Sequence, residues 1–444
     1  MPLMRFNIPF SDRLPGMKLL SRLPNRVNVH PPESVTTIGA ESSPLDVGLS
    51  QEDVERIWQS VVDYYMVGLQ PAMSLCIRRG GRVILHRTIG HARGNGPGES
   101  GPLIQATPKT LFNMFSASKC VTAMLIHLLD DRGQVHVDDP VAEYIPEFAR
   151  HGKQHITIRH ILTHRAGIPL TPPEQICLDT LSRPEAVIAG ICEAKPISLA
   201  GRKQAYHALT GGFILAEIAQ RVTGCSIREL LHTEVCQPLG FDHFLYGVSE
   251  TDLGKVARES FTGPKPPGVG KWLIKRSIGL DIQQAVALAN DPRFLTSVVP
   301  SGNIIATSDE VGRFFELLLR LGELDGVRVF PSRTIRRAVA EHRSPQLDGV
   351  IVLPVRYGLG MMLGGERASF FGSHTPRAFG HLGFTNVLGW ADPERDISVA
   401  FLNNGKPFVT PELVAWMRVM RVIASVVPRD YGGVVDSPWR SEPN

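Results

Sequence analysis

Apolar residues recur at intervals of three and four along several stretches of the chain, a spacing that predicts helices with one buried face. Ser50 precedes the first of these stretches and is a good N-cap residue. Gly133 and Gly224 follow two others and favour a helix end. The predicted helices cover residues 51–65, 120–132, 156–167, 211–223, 307–321 and 410–423. The middle of the chain is therefore expected to be mainly helical.

Two pairs of strands are predicted nearer the ends of the chain. Residues 72–79 and 82–89 are strand-like runs joined by Gly80 and Gly81, and a two-residue Gly-Gly link is a strong hairpin signal. Residues 385–391 and 396–402 form the second predicted hairpin. The predicted fold class is therefore α+β, with one antiparallel sheet built from both chain ends, flanked by helices, and a mainly helical lobe inserted between them.

This order of elements also suggests domain boundaries. Residues 50–115 and 335–430 are expected to form the α/β sheet domain, and residues 116–334 the mainly helical domain. Residues 1–49 are rich in proline and have little periodicity, which predicts an extended N-terminal arm. Residues 431–444 are expected to form a C-terminal tail.

Composition narrows the possible partners. The chain has 47 basic and 43 acidic residues, a balance too even to indicate a nucleic-acid or membrane partner. It shows no apolar stretch long enough to span a bilayer and no early run of signal-peptide quality. Its six cysteines lack metal-like pairing and indicate reduced thiols. The prediction is a cytoplasmic protein, and the oligomeric state is left open.

A serine and a lysine stand at the start of the central helix. Ser116 lies at or near its first turn, and Lys119, three positions on, projects from the same face. A lysine accepts a serine proton only when it is uncharged, which burial or nearby positive charge favours by lowering its pKa. The pair is therefore a candidate nucleophile and base. A lone Ser-x-x-Lys tetrapeptide is more often a capping serine beside a solvated lysine.

Two further segments carry candidate site residues. Tyr206 precedes the helix at 211–223, and a phenol near a cation can have its pKa lowered enough to accept a serine proton or activate water. His381 offers a titratable donor, and Gly383 lets the backbone approach a bound carbonyl closely. On its own, each of these signals is weak.

A metal site is not expected. His160 and His164 are four residues apart, a spacing that allows metal binding on a helix. However, no glutamate adjoins them as in the HExxH motif, and the sequence offers no obvious third ligand. Packed structural histidines are the preferred interpretation. No cofactor is predicted either.

In their order along the chain, these residues resemble the motifs of a known superfamily. Ser116-x-x-Lys119, Tyr206 and His381-x-Gly383 are similar to the Ser-x-x-Lys, Tyr-x-Asn and Lys-Thr-Gly or His-x-Gly motifs of serine β-lactamases and penicillin-binding proteins. The resemblance is to the class C-like esterase branch, the family VIII carboxylesterases. It extends over about residues 50–427, with agreeing flanks at residues 156–167, 206–226 and 300–303. It implies a β-lactamase-like fold.

The resemblance also implies a role for each matching residue. Ser116 would be the nucleophile, Lys119 its general base, and Tyr206 the proton shuttle to the leaving group and the activator of the deacylating water. The backbone N–H groups of Ser116 and Phe384 would form an oxyanion hole, with Phe384 on a strand that follows Gly383. One oxyanion donor typically contributes ~3 kcal/mol.

Two departures from the family pattern bear on the substrate. Ala208 stands where penicillin-recognising members carry asparagine, and His381 stands where they carry lysine. His381 and Gly383 would contact the substrate, and the loss of a permanent cation favours a neutral ester over a β-lactam carboxylate. The predicted function is therefore a serine hydrolase that cleaves a small or medium acyl ester through an acyl-enzyme.

Three alternatives remain at this point. The acyl group could pass to a hydroxyl-bearing acceptor instead of water, since both compete for the same intermediate. The enzyme could be a β-lactamase or D,D-peptidase, which Ala208 and His381 disfavour. The chain could also be a non-catalytic binding or scaffold protein with the same fold, against which the retained Ser116, Lys119 and Tyr206 argue.

Overall fold

The structure of the chain, a computed structural model, describes residues 23–170, 177–181, 183–342, 346–367, 369–408, 412–429 and 439, without the side chains of residues 269, 273 and 277. The described strands are β1 (Thr36–Ile38), β2 (Ala72–Arg79), β3 (Arg82–Arg93), β4 (Ile104–Gln105), β5 (Phe112–Asn113), β6 (Leu245–Tyr246), β7 (Ile304–Ala306), β8 (Glu323–Leu324), β9 (Val327–Arg328), β10 (Gln346–Leu347), β11 (Pro354–Tyr357), β12 (Met362–Leu363), β13 (Phe379–Leu382), β14 (Leu388–Asp392) and β15 (Ile397–Asn403).

The described α-helices are α1 (Pro32–Val35), α2 (Gln51–Tyr65), α3 (Ser118–Asp131), α4 (Val141–Tyr144), α5 (Ile158–Leu162), α6 (Leu178–Leu181), α7 (Pro184–Glu193), α8 (Thr210–Thr223), α9 (Ile227–Leu231), α10 (Gln237–Leu239), α11 (Gly268–Ile278), α12 (Ile282–Ala289), α13 (Pro292–Thr296), α14 (Ser308–Leu319), α15 (Ser332–Val339) and α16 (Glu412–Val426). Short 3-10 helices cover Pro44–Val47, Phe115–Ala117, Pro146–Gly152 and Glu250–Lys255, and a π-helical turn covers His232–Cys236.

Ten of the described strands form one antiparallel sheet. Its order is β1-β3-β2-β15-β14-β13-β12-β11-β10, with β4 paired to β3, and β5-β7-β6 and β8-β9 form two small separate sheets. Strands from the two chain ends meet where β2 pairs with β15, with Cys76 opposite Ala400. The predicted Gly80-Gly81 hairpin is confirmed as β2 and β3. The predicted α+β class, with a sheet from both chain ends and a helical insertion, is confirmed.

The second predicted hairpin is confirmed as β14 and β15. Strand β14 begins at Leu388, three residues after the predicted start at Thr385. The strand begins later than predicted because residues 383–387 form a turn. A hydrogen bond from the Gly383 N–H to the Val387 carbonyl oxygen (2.7 Å) closes this turn. Thr385 has a φ of 64°, which a strand does not allow. This turn brings Gly383 to the site described below.

Helices cover both faces of the sheet. Helices α2 and α16 pack together on one face, and α14 packs on β2, β14 and β15 on the other. As predicted, Ser50 caps α2, where its Oγ accepts a hydrogen bond from the Asp53 N–H. Thr307 caps α14 in the same way, with its side chain accepting from the Glu310 N–H. Thr410, where the last helix is predicted to begin, lies outside the described residues. The helical lobe is attached to the α14 side through α3.

The central helix differs from its prediction in one respect. The sequence predicts one buried face, but every residue from Ser118 to Leu129 is buried. The reason is that α8, α9, α15 and β13 surround α3, so that it runs through the core between the sheet and the helical lobe. Side chains at its N-terminal end therefore face protein rather than water.

Two other stretches depart from the sequence pattern. The helix predicted over residues 156–167 is confined to α5, because Thr163 leaves the helical conformation and His164 has a φ of 56°. The pattern also does not predict α11 and α12. Prolines and glycines at residues 263–270 indicate a surface loop, whereas α11 begins at Gly268.

Part of the predicted N-terminal arm is ordered against the sheet. Within residues 23–49, β1 pairs with β3, with Thr36 opposite Ile89. The division into sheet domain, helical domain and tail remains a prediction. None of the helices in the described part of the chain combines the length and apolar character needed to cross a membrane.

Candidate active site

Ser116 lies in a strained turn at the start of α3. It occupies the 3-10 turn Phe115–Ala117, and Phe115 has a φ of 48°, a backbone conformation uncommon outside glycine. The turn is held by a hydrogen bond from the Phe115 N–H to Asn113 Oδ1 (2.8 Å) and by the Phe384 ring, 5.4 Å from that of Phe115. Such strain persists only where the surroundings enforce it, and it concentrates at functional sites.

The structure brings Lys119 to Ser116, as the helical spacing predicts. Lys119 Nζ lies 3.0 Å from Ser116 Oγ and 2.9 Å from the Ser301 carbonyl oxygen. The side chain is buried, and this desolvation lowers the pKa of Lys119 to about 7. Near neutral pH a large share of the molecules therefore carries an uncharged amine. That amine can donate to Ser301 while its lone pair accepts the Ser116 proton.

Tyr206 completes the group around Ser116. Its hydroxyl forms only a weak hydrogen bond with the Ser116 side chain, and Lys119 Nζ lies 5.0 Å from its ring centroid. The sequence-based expectation of a lowered phenol pKa is wrong. Burial raises the pKa of Tyr206 well above its usual value, and the hydrogen bond to Ser116 only partly offsets this. The phenol is therefore protonated over the physiological range and can donate a proton.

Buried histidines support Tyr206. The His164 ring lies 4.7 Å from the Tyr206 ring, and His164 Nδ1 accepts a hydrogen bond from the His207 N–H (3.1 Å). Burial lowers the pKa of His207 to about 3 and that of His164 well below its usual value, so both stay neutral. His160, by contrast, accepts a hydrogen bond from the Thr157 N–H (3.1 Å). The described residues include no cluster of three or more potential metal ligands.

His381 is packed behind the site as a neutral group. It lies on β13, its Nδ1 is 2.7 Å from the Leu382 carbonyl oxygen, and its ring is 6.0 Å from that of Tyr206. Burial, with a smaller contribution from Lys119, lowers the pKa of His381 to about 3. The ring therefore donates its Nδ1–H to Leu382 and carries no charge at neutral pH.

Gly383 and Phe384 lie against the segment that carries Ser116. A Cβ atom on Gly383 would lie 2.4 Å from the Met114 carbonyl oxygen, so only glycine allows this close approach of the two segments. Phe384 does not lie on a strand, as the sequence suggests, but in the turn after β13. Among the described residues no acceptor is found for the Phe384 N–H. That donor is available to a bound ligand.

A cavity of about 430 Å³ opens beside these groups. Ser116, Tyr206, Ser301, Gly383 and Phe384 border it, and apolar side chains of α11, α12, α16 and the β10–β11 loop form most of its wall. No lysine, arginine or histidine of the described residues lines it. The carboxylate of Glu412, which does line it, is hydrogen bonded to Tyr64 and Gln70.

Several of these structural features are not predicted by the sequence. The Ser301 carbonyl oxygen accepts a hydrogen bond from Lys119, and the His164 ring packs against Tyr206. The sequence motifs assign neither residue a part in the site. The only sequence signal for Ser301 is its place in the 300–303 segment, which agrees with the family's loop into a helix. The cavity wall on α11 and α12 was missed entirely, because those helices were not predicted.

The sequence of the chain is similar to that of known proteins. Residues 59–423 match the family model described as Beta-lactamase. The chain is 31% identical over 306 residues to "Esterase/beta-lactamase LipL" of Mycobacterium tuberculosis (strain ATCC 25618 / H37Rv), which covers 66% of this chain and 68% of LipL.

Two solved structures are similar over most of the chain. A penicillin-binding protein homologue from Caulobacter crescentus has a TM-score of 0.70 at 25% identity, over 85% of this chain and 99% of that one. A family VIII carboxylesterase has a TM-score of 0.71 at 24% identity, over 84% of this chain and 98% of that one. At 24% identity, the similarity to the carboxylesterase shows a shared fold and does not by itself show a shared activity.

Proposed function

We propose that this chain, which belongs to the beta-lactamase family and is a serine hydrolase, cleaves carboxylic esters through an acyl-enzyme formed on Ser116. One observation carries the proposal. The Ser116 hydroxyl is hydrogen bonded to an amine whose pKa is lowered to about 7, and it interacts weakly with a protonated phenol, beside an apolar cavity. These are a base, a nucleophile and an acid in mutual contact.

Acylation then follows from the protonation states. Uncharged Lys119 takes the proton of Ser116 Oγ as that oxygen attacks the ester carbonyl. The N–H groups of Ser116 and Phe384 are proposed to bind the developing oxyanion, and Gly383 permits the close approach that this requires. Tyr206 gives its proton to the departing alkoxide and regains one from the Lys119 ammonium, whose Nζ faces its ring.

Deacylation repeats the same transfers with water. Water attacks the acyl carbonyl, and its proton passes through Tyr206 to Lys119. Ser116 Oγ then leaves and takes that proton from the Lys119 ammonium, which restores the uncharged amine. An alcohol bound in place of water would receive the acyl group by the same route, so transfer to a hydroxyl acceptor is a variant of this mechanism. Which acceptor prevails depends on its access to the cavity.

The character of the cavity supports an ester rather than a β-lactam. β-Lactams and D-alanyl peptides carry a carboxylate, and no cationic side chain of the described residues lines the cavity. His381, at the position where penicillin-recognising relatives carry lysine, is buried and neutral, and Ala208 offers no amide. A β-lactam remains the second candidate substrate because the name of LipL includes both activities.

A chromogenic ester and a chromogenic cephalosporin test this choice. We expect kcat/KM for p-nitrophenyl butyrate to exceed that for the cephalosporin by roughly 100-fold, because a desolvated carboxylate without its partner typically costs ~2–5 kcal/mol. Equal turnover of the two substrates would contradict this preference, and turnover of the cephalosporin only would reverse it. Turnover of neither, with no covalent adduct on Ser116, would favour a scaffold protein.

The rate is expected to increase with pH through about 7. Below that pH Lys119 is protonated and cannot accept the Ser116 proton, and above it the amine is free. No decline is expected up to pH 9, because burial raises the pKa of Tyr206, and the buried histidines are neutral throughout. The profile of kcat/KM for p-nitrophenyl butyrate between pH 5 and 9 checks this, and a falling limb near pH 7 would contradict it.

A further inference from the structure

The cavity beside Ser116 is much larger than a small acyl group needs. It has a volume of about 430 Å³. One water molecule takes ~30 Å³ in the liquid and a methylene group is of similar size, so the cavity holds several such groups. An acetyl group would leave most of this space to water held against apolar walls, which is unfavourable. The size of the cavity therefore favours a longer chain.

Helices α11 and α12 form one wall of the cavity. Ile274 and Ile278 on α11, Leu280 in the connection, and Ala285 on α12 line it. Helix α12 is fixed at its start by a capping box, in which Asp281 accepts from the Gln284 N–H (2.9 Å). This wall is therefore apolar and built on helices.

Two other parts of the chain form the opposite walls. Val350, Ile351 and Leu353 contribute from the β10–β11 loop, and Leu413 and Trp416 contribute from α16. Leu353 is 46% exposed, so the cavity reaches solvent beside an apolar residue. Both the mouth and the interior therefore suit an apolar group.

Glu412, the one charged residue that lines the cavity in the described part of the chain, does not alter its apolar character. Glu412 accepts hydrogen bonds from the Tyr64 hydroxyl and from Gln70 Nε2 (3.2 Å), and Asn386 Nδ2 lies 3.5 Å away. Its carboxylate is thus engaged by partners within the protein. A cationic substrate group would have to compete with these contacts, whereas an alkyl chain need not disturb them.

We infer that this cavity is an acyl-chain site and that the enzyme prefers esters of straight apolar acids of roughly eight carbons or more. The inference rests on the proposed ester hydrolysis and extends the sequence-based expectation of a small or medium acyl group. The acyl side is favoured because the acyl group stays on Ser116 after the alcohol leaves. A filled cavity then keeps bulk water from Lys119, whose lowered pKa depends on burial.

The test is a chain-length series combined with a bulky substitution in the wall. p-Nitrophenyl acetate, butyrate, octanoate and decanoate are compared below their micelle concentrations. Because each buried methylene contributes up to a factor of about four, kcat/KM is expected to rise at least about tenfold from butyrate to decanoate. Ala285→Trp, which fills the cavity, is expected to lower the decanoate value at least about tenfold and the acetate value less than about threefold.

Ala287→Trp is the matched control. Ala287 lies on the same helix two residues away, but it is exposed and does not line the cavity. It is expected to leave the chain-length profile of the wild type unchanged. If thermal unfolding shows that Ala285→Trp does not fold, Ala285→Leu replaces it, with a smaller loss in the same direction.

The possible outcomes distinguish a failure of the acyl-chain site from a failure of the proposed ester hydrolysis. Turnover of acetate and butyrate that declines with longer chains, or an Ala285→Trp variant that loses acetate and decanoate equally, would overturn the acyl-chain site alone. A preference for decyl acetate over butyl acetate, without a preference along the acyl series, would place the chain on the alcohol side and overturn the assignment. Absence of turnover of every ester would overturn the proposed function as well.

Discussion

Replacing Ser116 with alanine is expected to lower kcat for p-nitrophenyl butyrate by a factor of ~10⁴–10⁶, because a serine that acts as a unit with its base accounts for about that much of the rate. The variant keeps the cavity and Lys119 but has no oxygen to form the acyl-enzyme. A fluorophosphonate should add its mass to the wild type and not to the variant. Both measurements use the full chain at pH 8, where Lys119 is largely uncharged.

Ser118→Ala is the control for this variant. Ser118 lies two residues away, is buried, and accepts a hydrogen bond from the Ile304 N–H (3.0 Å). Its loss leaves that donor unsatisfied, which costs ~1–3 kcal/mol of stability, but it should preserve fluorophosphonate labelling and turnover. Labelling that persists in Ser116→Ala and disappears in another serine variant would remove Ser116 from the mechanism.

Replacing Lys119 with methionine is expected to lower kcat by a factor of ~10²–10⁴ and to abolish the rise in rate near pH 7. Methionine keeps the apolar stem and removes the amine that lies 3.0 Å from Ser116 Oγ. The loss should appear in kcat more than in KM, since the amine acts on the reacting proton. A variant that retains the wild-type pH profile would exclude Lys119 as the base.

The pH dependence of folding stability provides a second measurement for Lys119→Met. Because burial lowers the pKa of Lys119 from 10.5 to about 7, the unfolded chain binds this proton more tightly than the folded one. The folded state is therefore disfavoured by a few kcal/mol at pH 7 and below, and this cost disappears as the pH rises towards 10.5. Removing this cost offsets the ~1–3 kcal/mol lost by leaving the Ser301 carbonyl oxygen without its Lys119 partner. Lys119→Met should therefore be at least as stable as the wild type at pH 6, although it has lost activity.

Lys153→Met supplies the matched control. Lys153 is the same residue type and is also fully buried, with its Nζ 2.7 Å from the carbonyl oxygens of Cys192 and Ala194. It does not line the cavity. Its replacement leaves buried carbonyls unpaired and should reduce stability by ~1–3 kcal/mol, with turnover close to that of the wild type. Similar loss of kcat in both variants would point to a general folding defect.

Several features of the site could be predicted from the sequence because their signals are local. Ser116 and Lys119 are three residues apart, and helical geometry alone directs both to one side. The Gly80-Gly81 hairpin and the Ser50 cap of α2 likewise depend on adjacent residues, and both are confirmed. The order of three short motifs was sufficient to indicate the family. Helices α11 and α12 were missed because the prolines and glycines before them resemble a loop.

The sequence by itself therefore determined the fold class, the family and which serine and amine can meet, whereas only the tertiary structure decided their protonation states. Lys119 has a pKa of about 7 because distant elements bury it, and Ser301, 182 positions along the chain, provides its other partner. Burial raises the pKa of Tyr206, against the sequence-based expectation. Protonation states and cavity shape depend on which distant segments exclude water, and local spacing carries no information about that.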